Sequence, residues 1–359
     1  MESCAIRRGC LAPMALRLGA GLLLFVFLTS NGFAQESDAA FGVQRLQLTT
    51  ADRSAPAGMS HSWYHLRPAN TKVAKTLSST ALSAPRPKAS VSVFPSAQAS
   101  IAEVPPPGFY PADLSYFGGP VVSNALSHSL FLNCAESCWG NPTQFLVDLN
   151  RSTLIHVIDQ YVGTTATRRY PVGRGANINE TIFGNTVGQN DLLAIVHAGA
   201  KQFGAGYGNI YHVFLPKGVD TCFDQTSICY SPDNPASFFF CAYHGSVDFS
   251  DVGHVLYTIE PFQNVEGCAV TKPSPNGRLA DSTDSSLSHE LIETITDPDG
   301  TGWFSVASAV SFGFEVADIC VQFSLTSPFF DPPVIDLNGK PYKVQLEYSN
   351  VFHACANTP

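Results

Sequence analysis

Charge is scarce in this chain. Asp, Glu, Lys and Arg make up only 14% of its 359 residues, against about a quarter in ordinary globular proteins. The net charge is −9, so the basic footprint of a nucleic-acid binder is missing and no nucleic-acid partner is expected. No G-x-S-x-G elbow is present, which removes a Ser-His-Asp hydrolase of that type. Phosphate loops and dinucleotide fingerprints are also absent. No C-x-x-C pair occurs, which counts against a thiolate zinc site. Beyond Leu28 no apolar run is long enough to cross a bilayer. What is plentiful is glycine (28), proline (25) and apolar side chains (45%). That composition fits a loop-rich exported protein with a sizeable core.

The first residues give the compartment. Arg7, Arg8 and Arg17 lead into the apolar stretch Leu18 to Leu28, followed by Thr29-Ser-Asn-Gly-Phe-Ala34. A basic region, an apolar region and a small-residue exit predict a signal peptide over residues 1–34, cleaved after Ala34. The apolar stretch is short for a retained anchor. The expected location is therefore secreted or extracellular, including a periplasm or cell wall, with no membrane partner after cleavage. Outside the leader stand eight cysteines: 134, 138, 222, 229, 241, 268, 320 and 355. An even number in an exported chain predicts disulfides. Sequence alone does not fix the pairing, and sequential pairing is the expectation: 134–138, 222–229, 241–268 and 320–355.

Residues 35–108 are rich in Ala, Ser, Pro and Thr and read as a disordered spacer or propeptide. The exception is His61-Ser-Trp-Tyr-His65, a short structured patch whose histidines also suit a metal. Residues 109–359 form the globular domain. Helical spacing covers Thr143–Tyr161, as one helix or two short ones, and Asp191–Phe203. Strand-like runs cover 209–216, 237–244 and 254–261. A helix carrying His289 is expected from about Asp281–Asp284 to Thr296, where Asp297-Pro298 ends it. Asn338-Gly339 marks a closing hairpin. The order predicts an α+β fold of zincin-like metallopeptidase type, with a mixed sheet, an active-site helix and disulfides.

The chemistry centres on His289-Glu-Leu-Ile-Glu293. In an H-E-x-x-H helix two histidines four apart share one face and hold Zn²⁺, and the intervening Glu serves as general base. Here Glu293 stands at the second histidine position, and a carboxylate is an accepted zinc ligand. Glu290 lies about 100° around the helix from His289, in reach of a water that His289 and Glu293 would help to place. H-E-x-x-E alone is as easily a plain amphipathic helix. Downstream, Gly313-Phe-Glu315-Val-Ala-Asp318 adds two acids three residues apart. Glu315 is the expected third metal ligand and Asp318 the acid that orients His289 from behind. Asp299 is the rival third ligand, and Asp297 a cap on the turn. Such a carboxylate-rich set takes Zn²⁺ or another divalent metal such as Mn²⁺ or Ca²⁺. His244, at a strand end before Gly245, is a further catalytic candidate, with a backbone-satisfied histidine as the plain alternative. His197, His212, His254 and His353 show no evident partners.

Taken in order, several segments resemble the phosphate-induced protein 1 (Exordium-like) family. They are Tyr116-Phe-Gly-Gly-Pro-Val, Val213-Phe-Leu-Pro-Lys-Gly-Val-Asp, Cys241-Ala-Tyr-His-Gly-Ser, Ser274-Pro-Asn-Gly and Ser288-His-Glu-Leu-Ile-Glu-Thr-Ile-Thr-Asp-Pro. Gly302-Trp-Phe, Glu315-Val-Ala-Asp-Ile-Cys, Asn338-Gly339 and Ala354-Cys355 complete the set. The resemblance spans about residues 110–359. It implies that Glu293 is the family's normal residue and that the protein is extracellular. The family is known for plant growth, without an established chemistry. This chain departs from it at Asp297, where the family has Asn, and in its long prelude. The expected function is an exported metal-dependent hydrolase, a zinc peptidase acting on extracellular peptide, protein or cell-wall material. The alternative is a non-catalytic extracellular binding or signalling module.

Overall fold

The computed structural model describes residues 43–55, 57–66 (as backbone), 110, 112–163, 165–182, 184–223, 227–306, 315–323 and 332–359. The signal-peptide reading of 1–34 and the spacer reading over 35–42 and 67–108 lie outside the described residues.

Short apolar runs separated by helices build a seven-stranded sheet. Its strands are β1 (Gln44–Leu46), β2 (Ala57–Leu66), β3 (Leu126–Leu132), β4 (Ala176–Ile178), β5 (Asn209–Phe214), β6 (Phe240–Phe249) and β7 (Gly253–Glu260). Their spatial order is β1-β4-β3-β5-β7-β6-β2. The first five in that order run parallel. β6 is antiparallel to β7, and β2 is antiparallel to β6. Parallel neighbours cannot be joined by tight turns and need crossovers. Those crossovers carry α1 (Pro142–Asn150) and α2 (Gln189–Phe203). The sheet is mixed, as expected, but the class is mixed α/β rather than α+β, because parallel pairing puts helices on both faces.

Strand parity assigns each face. Leu130, Tyr211, Val213, Tyr257 and Ile259 pack with Leu192, Ile195 and Val196 of α2. Phe131, Ile210, Phe214 and Leu256 face the other way, onto α1 and α3 (Arg278–Thr296), through Phe145, Leu287, Leu291 and Ile295. Short two- and three-stranded sheets surround this core. One is the Val334–Leu337/Lys340–Lys343 hairpin, whose Asn338 and Gly339 both take positive φ (55° and 81°), as its two-residue turn demands. The eight cysteines stand in four bonding pairs, 134–138, 222–229, 241–268 and 320–355, the sequential arrangement expected. Such pairs fit an oxidising compartment. Among the described residues no helix is long and apolar enough to cross a membrane.

The spacer reading fails over residues 44–55 and 57–60, while the structured patch expected at His61–His65 lies within β2; together these residues supply both edge strands of the main sheet. Their partners lie more than a hundred residues away, so local composition carried no trace of the pairing. Between them, a single helical turn (Thr50–Arg53) is capped reciprocally by Thr49 and Asp52. Asp52 is buried, and its Oδ1 accepts from His197 Nδ1 (2.9 Å) and Lys201 Nζ (3.2 Å) on α2. The far side of the His197 ring meets Asp251 (2.9 Å), in the turn between β6 and β7. Burial opposes ionisation of Asp52, yet the bonds from Thr49, His197 and Lys201 outweigh it and hold its pKa at about 2. An unfolded aspartate titrates near 3.8. The latch therefore stabilises fully above that value and is lost as pH falls through about 2. Asp52→Asn is expected to cost about 2 kcal/mol at neutral pH, and the gap from wild type should close on acidification, as read by urea unfolding across a pH series. A gap that persists at low pH would assign the loss to packing instead.

Candidate metal centre

The site-bearing helix starts three residues before the expected Asp281. Gly277 takes φ 91°, a conformation costly for other residues, and turns the chain into Arg278. Asp281 reaches back instead, accepting from Asn276 N–H (3.1 Å) and its side-chain amide (2.9 Å). The helix ends at Thr296 as expected. Asp297 then accepts the Gly302 N–H (2.6 Å), closing the turn in the capping role foreseen for it. A Cβ at Gly302 would stand 2.4 Å from the Thr296 carbonyl oxygen, so only glycine fits there.

α3 is buried from Asp281 to Thr296, apart from a half-buried Ser286, although much of that length is polar. Its His289, Glu290 and Glu293 point into the interior, where β6 and α4 (Asp318–Phe323) add partners. His244 belongs to the same sheet face by register: Ser129, His212, Thr258 and His244 are successive partners across β3, β5, β7 and β6. A polar row thus crosses the sheet beneath α3. His212 Nδ1 lies 2.9 Å from Thr258 Oγ1, which in turn donates to Glu260 Oε1 (2.9 Å).

The predicted residues converge. His289 Nε2 lies 3.0 Å from Glu293 Oε1 and 3.5 Å from Asp318 Oδ1. His244 Nδ1 lies 3.4 Å from Glu290 Oε2 and 3.6 Å from Glu293 Oε2, and its Nε2 stands 3.6 Å from Glu315 Oε1. Asp318 therefore occupies the place beside His289 and Glu293 foreseen for Glu315, and Glu315 faces His244. Two groups of three present donor atoms within 4.8 Å of one another: His289, Glu293, Asp318 and His244, Glu290, Glu293. The Asp318 N–H also donates to Glu293 Oε1 (3.1 Å), which locks α4 against α3. Asp299 is engaged elsewhere, with His254 Nε2 (3.2 Å) and the Tyr207 hydroxyl (2.5 Å).

Several participants were not foreseen. Gln345 donates its amide to the Ala317 carbonyl, so its Oε1 faces His289 Nδ1 at 3.2 Å. That makes Nδ1 the donor and aims Nε2 at the two carboxylates. Glu260 and Glu347 are fully buried nearby. Glu260 left a faint signal, an acid at the end of an otherwise apolar parallel strand; Gln345 and Glu347 left none. The histidines without evident partners all have one: His197 with Asp52, His212 with Thr258, His254 with Asp248, and His353 with Asp113.

Electrostatics follow from the burial. Desolvation, then the charge of His289, depresses His244 to about 3. Desolvation raises Glu293 and Glu260 to about 7, and Glu290, Glu315 and Glu347 well above the carboxylate range. Burial alone would lower His289, but the Glu293 charge and the Asp318 and Glu293 hydrogen bonds raise it well above its usual value. Such an acid-rich interior demands compensating protons or cations.

Orphaned oxygens favour cations. Glu290 Oε1 and Glu315 Oε1 are buried and accept no hydrogen bond among the described residues. The donor set, imidazole with carboxylates, is that of Zn²⁺ or Mn²⁺. No protein-family model, curated protein or solved structure matches this chain.

Proposed function

We propose that the protein is an exported, zincin-like metal-dependent hydrolase acting on extracellular peptide bonds. One observation carries the reading: a buried H-E-x-x-E helix whose His289 and Glu293 meet a second acid, Asp318, while Glu290 faces His244. His289, Glu293 and Asp318 would hold the metal. The metal, when bound, supplies Lewis acidity. Gln345 orients His289, and Glu290 accepts the proton of the attacking water. His244 stands across from Glu290, where it can steady the developing charge.

Glu290→Gln is expected to lower turnover on a peptide library by about 100-fold or more, and chelation should abolish it. Equal turnover in the variant would remove the hydrolytic role of Glu290.

The burial itself favours a second reading, a non-catalytic module whose metal only holds the fold. His244, Glu290, Glu293, His289, Glu315 and Asp318 are each no more than 5% exposed. Metal-bound protein without turnover on any peptide would select it.

A further inference from the structure

We propose that the cluster is a dinuclear centre, two divalent cations bridged by Glu293; this rests on the metal-binding reading above and extends it. The two oxygens of Glu293 serve different histidines: Oε1 is 3.0 Å from His289 Nε2, and Oε2 is 3.6 Å from His244 Nδ1. One cation would lie among His289, Glu293 and Asp318. The other would lie among His244, Glu290 and Glu293. A single carboxylate presenting one oxygen to each group is the arrangement of a bridging ligand, and paired ions in hydrolases stand about 3.5–4 Å apart.

Three of the four histidine–acid distances within the two groups favour cations over hydrogen bonds; the fourth, His289 to Glu293 at 3.0 Å, is of hydrogen-bond length. N–H···O bonds cluster near 2.9–3.0 Å. Ligands held about 2.1 Å from one ion in a tetrahedral array stand about 3.4 Å from one another. The separations from His289 to Asp318 (3.5 Å), and from His244 to Glu290 (3.4 Å) and Glu293 (3.6 Å), match that ligand-to-ligand edge. The His289 ring contact is also that of a ligating histidine, which donates through the opposite nitrogen to an oxygen. His289 Nδ1 faces Gln345 Oε1.

Charge accommodates two ions. Glu290, Glu293 and Glu315 contact His244, and Glu293 and Asp318 contact His289. Two dications would let all four acids ionise without leaving net charge in an interior no more than 5% exposed. The buried, unbonded Glu290 Oε1 and Glu315 Oε1 point independently to ligands not supplied by the protein. Glu290 then offers one oxygen to the second cation and keeps the other for a proton.

The test uses the full exported chain saturated with Mn²⁺. Elemental analysis should give two equivalents per chain, and electron paramagnetic resonance should show an exchange-coupled pair. His244→Ala and Asp318→Asn should each bind one equivalent and lose the coupling signal. A single equivalent in wild type would overturn the dinuclear proposal while leaving the mononuclear reading intact. Zero equivalents would overturn both. Two equivalents without coupling would refute the Glu293 bridge. The wild-type measurements decide the matter even if a variant fails to fold.

Discussion

Stripping divalent cations with EDTA is expected to lower the unfolding free energy of this protein by about 4 kcal/mol, the linkage contribution of a ligand present at about a thousand times its dissociation constant. The cause lies in the cluster. α3 and α4 are tied by the Asp318 N–H bond to Glu293, and both helices place a carboxylate against His289. With cations these acids are drawn to shared positive partners; without them, buried like charges repel or must take up protons. Urea unfolding with EDTA, then after adding back Zn²⁺, measures the effect. Glu293→Gln should show less than half of it, since Glu293 belongs to both groups. Unfolding curves that superimpose with and without EDTA would refute the metal-binding reading.

The second large effect concerns Cys320–Cys355. This bond fastens α4, the carrier of Asp318, to the C-terminal Glu347–Ser349/Ala354–Ala356 pair. It closes a span of 35 residues, which by loop entropy gives about 4 kcal/mol. Cys134–Cys138 closes a span of only 4, giving about 2 kcal/mol by the same relation. Replacing Cys320 and Cys355 together by Ala should therefore destabilise about twice as much as replacing Cys134 and Cys138. It should also weaken metal binding, because α4 loses its tether while the other pair lies away from the site. Equal losses in the two double variants would show that span does not set the contribution.

Local signals were legible and long-range ones were not. The Asp191 helix, the Asn338-Gly339 hairpin, the three strand runs and the end of α3 at Thr296 all appear where hydrophobic period, turn chemistry or a following proline put them. The start of α3 was misjudged because Asp281 looks like a cap, whereas Gly277 makes the turn and Asp281 bonds backward to Asn276. β6 runs on to Phe249, through Gly245, because its pairing with β7 overrides the local turn signal. In the site, spacing on one helix fixed His289, Glu290 and Glu293. Which acid meets His289 and Glu293 depends on where α4 docks, which places Asp318 there rather than Glu315 or its rival Asp299, and Gln345 enters from a segment 56 residues away in sequence.

The pairing of β2 with β6 has a consequence for how the chain is made. Ala57 meets Phe249 and Leu66 meets Phe240. A nascent chain releases β2 long before its partner exists, so the sheet can close only after residue 249 has emerged. Until then β2 offers unpaired backbone groups of the kind that recruit foreign strands. Such high contact order places folding among the slow topologies, milliseconds to seconds for small domains. The chain is thus a late closer, its main sheet completed only when most of the domain has been made.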